Sequence, residues 1–239
     1  VQPSMRPAIN AATARLLDRI GVSLVETRGA GCCGAVRFHL DDQDGGRHDA
    51  RHNIDAWWPA IAAGTVEAIV VTASGCGVQV KDYGHLLKDD PRYADKAARV
   101  SALCRDVAEV LGAEAARLEP LLAAHAAGRP RRRIAFHAPC SLQHGLKIRG
   151  VVEALLGAAG FELVPVRDGH LCCGSAGTYS LLQPEISRRL RDDKLDALQG
   201  GGAESIVSAN IGCIEHLGSA AKLPVRHWVE LLFDDENVT

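Results

Sequence analysis

The sequence predicts an α/β fold built from two similar units, each a small, mostly parallel sheet flanked by helices. Three observations predict it. Segments with helical apolar spacing alternate with short Val/Ile-rich runs, the pattern of strands buried on both faces. Cys-Cys-Gly occurs twice, at 32–34 and 172–174, and each copy is answered about forty residues later by a single cysteine, Cys76 or Cys213. The segments ending in those two cysteines, 68–76 and 205–213, align at a fixed offset of 137, and 21–25 aligns with 160–164 at 139. The halves therefore divide near Gly128, giving expected domains 1–127 and 128–239.

Taken in order, Ser4 caps a helix over 4–20, with Ile9, Ala12, Leu16, Leu17 and Ile20 on one face and Gly21 as its stop. Residues 22–26 read as a strand running into the first double-cysteine turn, 28–34. Residues 41–46 read as a polar loop and 48–63 as a helix. The apolar run 68–72 is a buried strand that ends at Ser74-Gly75-Cys76. Helices follow at 77–88 and 92–125, the second broken near Gly112. Then the plan restarts, with a strand at 133–137, a turn at 138–140, a helix at 142–159 and a strand at 161–165. The second double-cysteine turn, 169–174, precedes a helix over 178–199 that stops at three glycines. A strand at 205–208 runs into Cys213, and a strand near 224–226 with a helix at 227–233 closes the chain.

With 239 residues, 47% hydrophobic and 23% charged, the chain can bury a proper core and is not a disordered polymer. A net charge of −2 gives no electrostatic ground for nucleic-acid binding. Arg129, Arg131, Arg132 and Arg133 form a basic run with no aromatic company, read as a solvated linker face. No apolar stretch approaches the length of a bilayer span and no signal peptide opens the sequence, so a soluble intracellular protein is expected. The chain starts at Val1 without Met and is expected to be a piece of a longer protein.

Eight cysteines carry the chemistry. Adjacent cysteines close a strained ring and pair poorly with each other, so reduced thiols are expected. In the second half Cys140, Cys172, Cys173 and Cys213 each follow a predicted strand. Parallel α/β sheets gather such carboxyl ends along one edge, where ligands bind. Four thiolates there suit a soft metal site, either an iron–sulfur cluster or zinc. Cys32, Cys33 and Cys76 are the matching set in the first half. Cys140 precedes Cys172 by 32 residues, and the same count before Cys32 falls at position 0, so a leading cysteine is expected just ahead of Val1. Cys104 belongs to no repeat and reads as a packed thiol in mid-helix.

His137, His170, His216 and Asn210 lie close to the cysteines in sequence and are expected around the sulfurs, not as ligands; His144 is also nearby. Lys81, Asp82, Tyr83 and His85 either line the same edge or form an exposed helical face. Trp57, Trp58 and Trp228 read as core or interface anchors. Residues 29–34 spell the G-x-G-x-x-G dinucleotide fingerprint. A charged loop is expected after it in place of a helix, and the second copy lacks the middle glycine, so a nicotinamide site is set aside.

These motifs resemble the CCG (cysteine-rich) domain, which occurs as a tandem pair in heterodisulfide reductases and in iron–sulfur subunits of flavin-linked dehydrogenases. Residues 71–87, with Val1-Gln2-Pro3, 31–34 and 209–213, are similar to the iron–sulfur subunits of glycolate oxidases. The resemblance covers essentially the whole chain. It implies an electron-transfer subunit carrying an iron–sulfur cluster, [4Fe–4S] in type, with flavin (FAD) held only by partner flavoprotein subunits. It also implies a cytoplasmic location, peripheral to the membrane through those partners, with electrons passed on to a membrane acceptor. In the family an N-terminal ferredoxin-like domain precedes the tandem pair, and this chain lacks one. The heterodisulfide reductase relative ends its ligand set in Cys-x-x-Cys. Here Ala73 and Asn210 stand at the first of those positions, which argues against its non-cubane cluster and its disulfide chemistry. The alternatives are a thiol–disulfide oxidoreductase of that type and an assembly module holding zinc or no metal.

Overall fold

The apolar runs Ile69–Val71, Ile134–Phe136 and Ile206–Val207 lie in strands, and shorter, more polar segments pair beside them. The computed structural model describes residues 2–233 and contains two parallel sheets. In the first half β1 (Ile69–Val71) pairs with β2 (Cys104–Asp106). In the second half β3 (Arg133–His137), β4 (Glu162–Leu163), β5 (Ser205–Ser208) and β6 (Val225–His227) form one sheet in the order β4-β3-β5-β6, every neighbour parallel. Helices cover these sheets, as the expected α/β class requires.

The repeat survives in three dimensions. Each of β1 and β5 runs into a cysteine-bearing helix, Ser74–Lys81 and Ile211–Gly218 respectively. Each Cys-Cys-Gly glycine has a left-handed backbone, φ +83° at Gly34 and +86° at Gly174. A Cβ at Gly34 would sit 2.7 Å from the Gly46 carbonyl oxygen, and one at Gly174 would overlap the Ser187 carbonyl oxygen. Both glycines thus let the turn lie against the first turns of the next long helix, Gln43–Ala62 or Pro184–Gln199.

Several local expectations change. Residues 22–26 form no strand, and Leu24 and Val25 are exposed. The polar stretch 41–46 is mostly helix: the Asp42 carboxylate accepts from Gly45 N at 3.0 Å and starts helix Gln43–Ala62. A short helix, Ala35–His39, also opens directly after Gly34. The dinucleotide fingerprint therefore fails because no strand precedes it, and not because a loop follows. The expected helix over 92–125 is interrupted by β2, so Cys104 lies in a strand. Residues 142–159 divide into a wide turn, Ser141–Gly145, and a helix, Val151–Ala158. The closing helix shrinks to one turn, Trp228–Glu230.

The larger apolar core joins the second sheet to Ile9, Leu16 and Leu17 near the start of the chain and to Leu111, Leu118 and Leu122. The smaller core holds Ala50, Ile54, Val80, Tyr83, Val100 and Cys104. The first sheet ends with β2 at Asp106 and the second begins with β3 at Arg133, while the larger core takes residues from both halves. Each fully buried Leu or Ile contributes roughly 1.5–3 kcal/mol. A half-exposed ion pair such as Arg6–Glu215 adds only about 0–1 kcal/mol. Apolar packing, then, and not surface charge holds the halves together. Among the described residues no helix is long and apolar enough to cross a membrane.

Polar contacts join the halves at the cysteine-bearing turns. Ser74 N donates to Ala209 O at 3.1 Å, and Gly75 N donates to Asn210 Oδ1 at 3.1 Å. Ser74 and Ser141 hydroxyls meet at 2.7 Å, and His227 Nε2 lies 3.0 Å from Thr72 O.

Candidate metal centre

The second-half cysteines are delivered by the carboxyl ends of β3 and β5 and by the turn after β4. Cys140 follows β3, Cys172 and Cys173 occupy the turn, and Cys213 is in the helix after β5. Gln143 Nε2 donates to Ala138 O at 2.9 Å and to Gly169 O at 3.2 Å, clamping the β3 turn to the double-cysteine turn. Ser187 Oγ donates to Gly174 O at 2.8 Å and so fixes the far side of that turn.

The four thiols form one chain of contacts. Cys173 Sγ lies 3.1 Å from Cys213 Sγ, and Gly174 N donates to Cys172 Sγ at 3.3 Å. Thiol donors from Cys140 and then Cys173 pull the Cys172 pKa down, and the Cys173 thiol does the same to Cys213. The donors move the other way: Cys140 is raised chiefly by Cys172, and Cys173 by Cys172 and Cys213. Two of the four sulfurs are thereby favoured as thiolates at the expense of the other two, and binding a metal would release the protons that the set still shares. Cys173 and Cys213 are buried and Cys140 is exposed, so the group runs from the core to the surface.

His137, the last residue of β3, closes the buried end. One of its ring nitrogens and the sulfurs of Cys173 and Cys213 all lie within 4.8 Å of one another. The residue is 2% exposed, and neither ring nitrogen has an oriented hydrogen-bond partner. An orphaned buried polar group costs about 1–3 kcal/mol. Four sulfurs beside an unpartnered imidazole are donors for a soft or borderline metal, so the residues fit an iron–sulfur group.

The first half holds a smaller version. Cys33 Sγ donates to Cys76 Sγ at 3.3 Å, which raises Cys33 and lowers Cys76. Cys32 is exposed beside them. Two buried side chains hold this turn: Asn53, which carries no sequence signal, and Tyr83, one of the four residues expected either at this edge or on an exposed face. Asn53 Oδ1 accepts from Gly31 N at 2.7 Å while its Nδ2 donates to Cys32 O at 2.7 Å. Tyr83 O–H donates to Cys33 O at 2.9 Å and accepts from Asn53 Nδ2 at 3.1 Å. A lone asparagine on an amphipathic helix gives no signal. Tyr83 stands out in sequence only as a neighbour of Cys76.

The remaining residues are spread more widely. Asn210 Nδ2 is 3.9 Å from Cys213 Sγ. His216 Nε2 is 3.1 Å from Ser187 Oγ and so reaches the turn through that serine. His170 is exposed, and its carbonyl oxygen faces His144 Nε2 at 3.4 Å. Lys81 points elsewhere, paired with Glu109 at 2.7 Å. Cys104 is fully buried in the smaller core, and burial pushes its thiol up to about 12.

Comparison with known proteins adds relatives to this geometry. Residues 1–81 and 134–218 match the family model for the CCG cysteine-rich domain. The glycolate oxidase iron–sulfur subunit of Escherichia coli K12 is 54% identical over 97% of this chain and 55% of its own length. The probable glycolate oxidase iron–sulfur subunit of Bacillus subtilis 168 is 31% identical over 94% of the chain and 50% of its own. The lactate utilization protein A of an Exiguobacterium species is 27% identical over 95% of the chain and 91% of its own. The chain spans about half the length of the two glycolate oxidase relatives.

Proposed function

Because the chain belongs to the CCG cysteine-rich domain family, we propose that it is the tandem cysteine-rich part of an iron–sulfur electron-transfer subunit. It would serve a flavin-linked oxidase of glycolate or a related 2-hydroxy acid. Cys140, Cys172, Cys173 and Cys213 would hold the cluster, [4Fe–4S] in type, and Cys32, Cys33 and Cys76 a second, less complete site. Flavin would stay on partner flavoprotein subunits. The chain would sit on the cytoplasmic side, at the membrane only through those partners.

The observation that carries this reading is the convergence of four sulfurs and an unpartnered imidazole at one sheet edge, with Cys173 and Cys213 only 3.1 Å apart. When bound, an iron–sulfur cluster supplies one-electron transfer without moving a proton. The chain's own residues do the rest. Cys173, Cys213 and His137 exclude water from the inner side, where burial shields the centre. Cys140 is exposed and Cys172 half-buried, which leaves an outer edge within reach of a docked redox partner.

Anaerobically prepared protein is expected to contain iron and acid-labile sulfide and to give a paramagnetic signal on reduction, all lost in Cys173→Ser or Cys213→Ser. Protein without iron and sulfide refutes the assignment. The tight spacing of His137, Cys173 and Cys213 favours one second reading, a single zinc ion. Zinc with no iron in the same measurement would select it.

A further inference from the structure

Lys194 projects from the buried face of helix Pro184–Gln199, together with Ser187, Leu195 and Leu198. It is 3% exposed. Its ammonium donates one hydrogen bond, to Asp168 O at 2.7 Å, and no carboxylate among the described residues forms an ion pair with it. Asp168 has a left-handed backbone, φ +51°, and its carbonyl also accepts from Leu171 N at 3.0 Å. Lys194 thus grips the turn that presents Cys172 and Cys173.

One carbonyl hydrogen bond does not offset the cost of taking an ammonium out of water. Burial pulls the lysine pKa down, and Cys173, Asp168 and Cys172 push it back up, Cys173 most strongly. Asp168 itself is exposed, where solvent screens its charge. The other groups that act on this cation are the sulfurs of the turn it grips, which carry negative charge once they hold a metal.

We propose that Lys194 is the built-in counter-charge of the second cysteine site. Its fixed positive charge offsets the negative charge of a thiolate-held iron–sulfur group and sets the potential at which that group accepts an electron. This rests on the cluster reading above. One-electron reduction adds one negative charge to the centre and no proton, so a nearby fixed cation favours the reduced form. Removing the cation makes reduction harder.

The test compares wild-type protein, Lys194→Met and Lys194→Arg. Methionine keeps the length and apolar stem, and replacing a buried charge with a packed apolar residue is usually tolerated. Iron and sulfide per chain are measured first, then the midpoint potential by dithionite titration followed by electron paramagnetic resonance. Lys194→Met is expected to retain the cluster with a more negative midpoint, and Lys194→Arg to return towards wild type. Loss of the cluster in the methionine variant alone supports the same assignment. Equal midpoints in all three proteins, or loss of the cluster in both variants, overturn it. Absence of iron from the wild type overturns the parent reading instead, so the two failures are told apart.

Discussion

Acid should loosen the joint between the two halves at one imidazole. His227 is fully buried, and its Nε2–H donates to Thr72 O at 3.0 Å, four residues before Cys76. Its Nδ1 accepts from Val229 N at 3.4 Å, so the neutral ring satisfies both partners and a second ring proton has no acceptor. Burial therefore drives the pKa from 6.5 down to about 3, opposed only by the Thr72 carbonyl. Below pH 6.5 the unfolded chain takes up a proton that the folded chain refuses, so this contribution to stability is full above 6.5 and falls as pH drops towards 3. The slope is about 1.4 kcal/mol per pH unit, or roughly 2–3 kcal/mol between pH 6.5 and 4.5.

Asp106 works in the opposite sense. Burial raises its carboxyl to about 7, so the folded chain takes up a proton that the unfolded chain does not, and acidification relieves a buried charge. The two slopes offset each other in wild-type protein across roughly pH 6.5 to 4. The informative quantity is thus the difference between variants. In His227→Gln the amide can still donate to Thr72 O but cannot take up a proton. Urea unfolding of reduced, chelated protein at pH 7.5, 6.5, 5.5 and 4.5 is expected to show this variant gaining on wild type by about 1.4 kcal/mol per pH unit below 6.5. Asp106→Asn is expected to lose ground over the same range. Parallel profiles for wild type and His227→Gln would refute the argument, because they would mean that the buried ring takes up a proton as readily as an exposed one.

Three further outcomes are expected. Gly174→Ala places a Cβ against Ser187 O at a left-handed φ and should cost at least about 1–3 kcal/mol, read as a fall in Tm together with loss of bound iron. Tyr83→Phe removes the donor to Cys33 O and an acceptor for Asn53, destabilising by about 1–3 kcal/mol. It should weaken metal retention in a Cys172→Ser/Cys173→Ser background, where only the first site remains. Cys104→Ser should destabilise by a similar ~1–3 kcal/mol yet leave iron and sulfide unchanged, since its sulfur belongs to the smaller core. Metal loss in that variant would place Cys104 in the first site.

Sequence discloses the parts of the fold whose local signal and tertiary setting agree. β3 and β5 are buried on both faces and read as strands from their apolar runs alone. Residues 22–26 also read as a strand but pair with none among the described residues, so Leu24 and Val25 are left exposed. β2, Cys-Arg-Asp, lies inside a helical pattern and becomes a strand only because β1 lies beside it. The stretch 41–46 resembles a loop through its glycines, while the Asp42 cap and packing against Phe38 make it helical. At the site, the repeat reveals the cysteines because covalent spacing survives folding. Asn53, Ser187 and Lys194 stay hidden because one polar residue on an amphipathic helix looks the same whether it faces water or a buried turn.

The two copies share a spacing but not a depth, and the sheets explain why. The first site rests on two strands, with β1 only half-buried, so Cys33 and Cys76 remain partly open. The second rests on four strands, and the central pair, β3 and β5, leads to buried His137 and to Cys213, which lies with Cys173 in the larger core while Cys140 stays exposed. Among the matched positions at which the copies differ is Ala73 against Asn210. The Asn210 side chain crosses between halves: its Oδ1 accepts from Gly75 N beside Cys76, and its Nδ2 reaches towards Cys213 Sγ. Alanine at the matched position cannot return that contact. Asn210 thus adds a side-chain link to the contacts that Ser74 makes with Ala209 and Ser141, and duplication has produced a deep site and a shallow one held side by side.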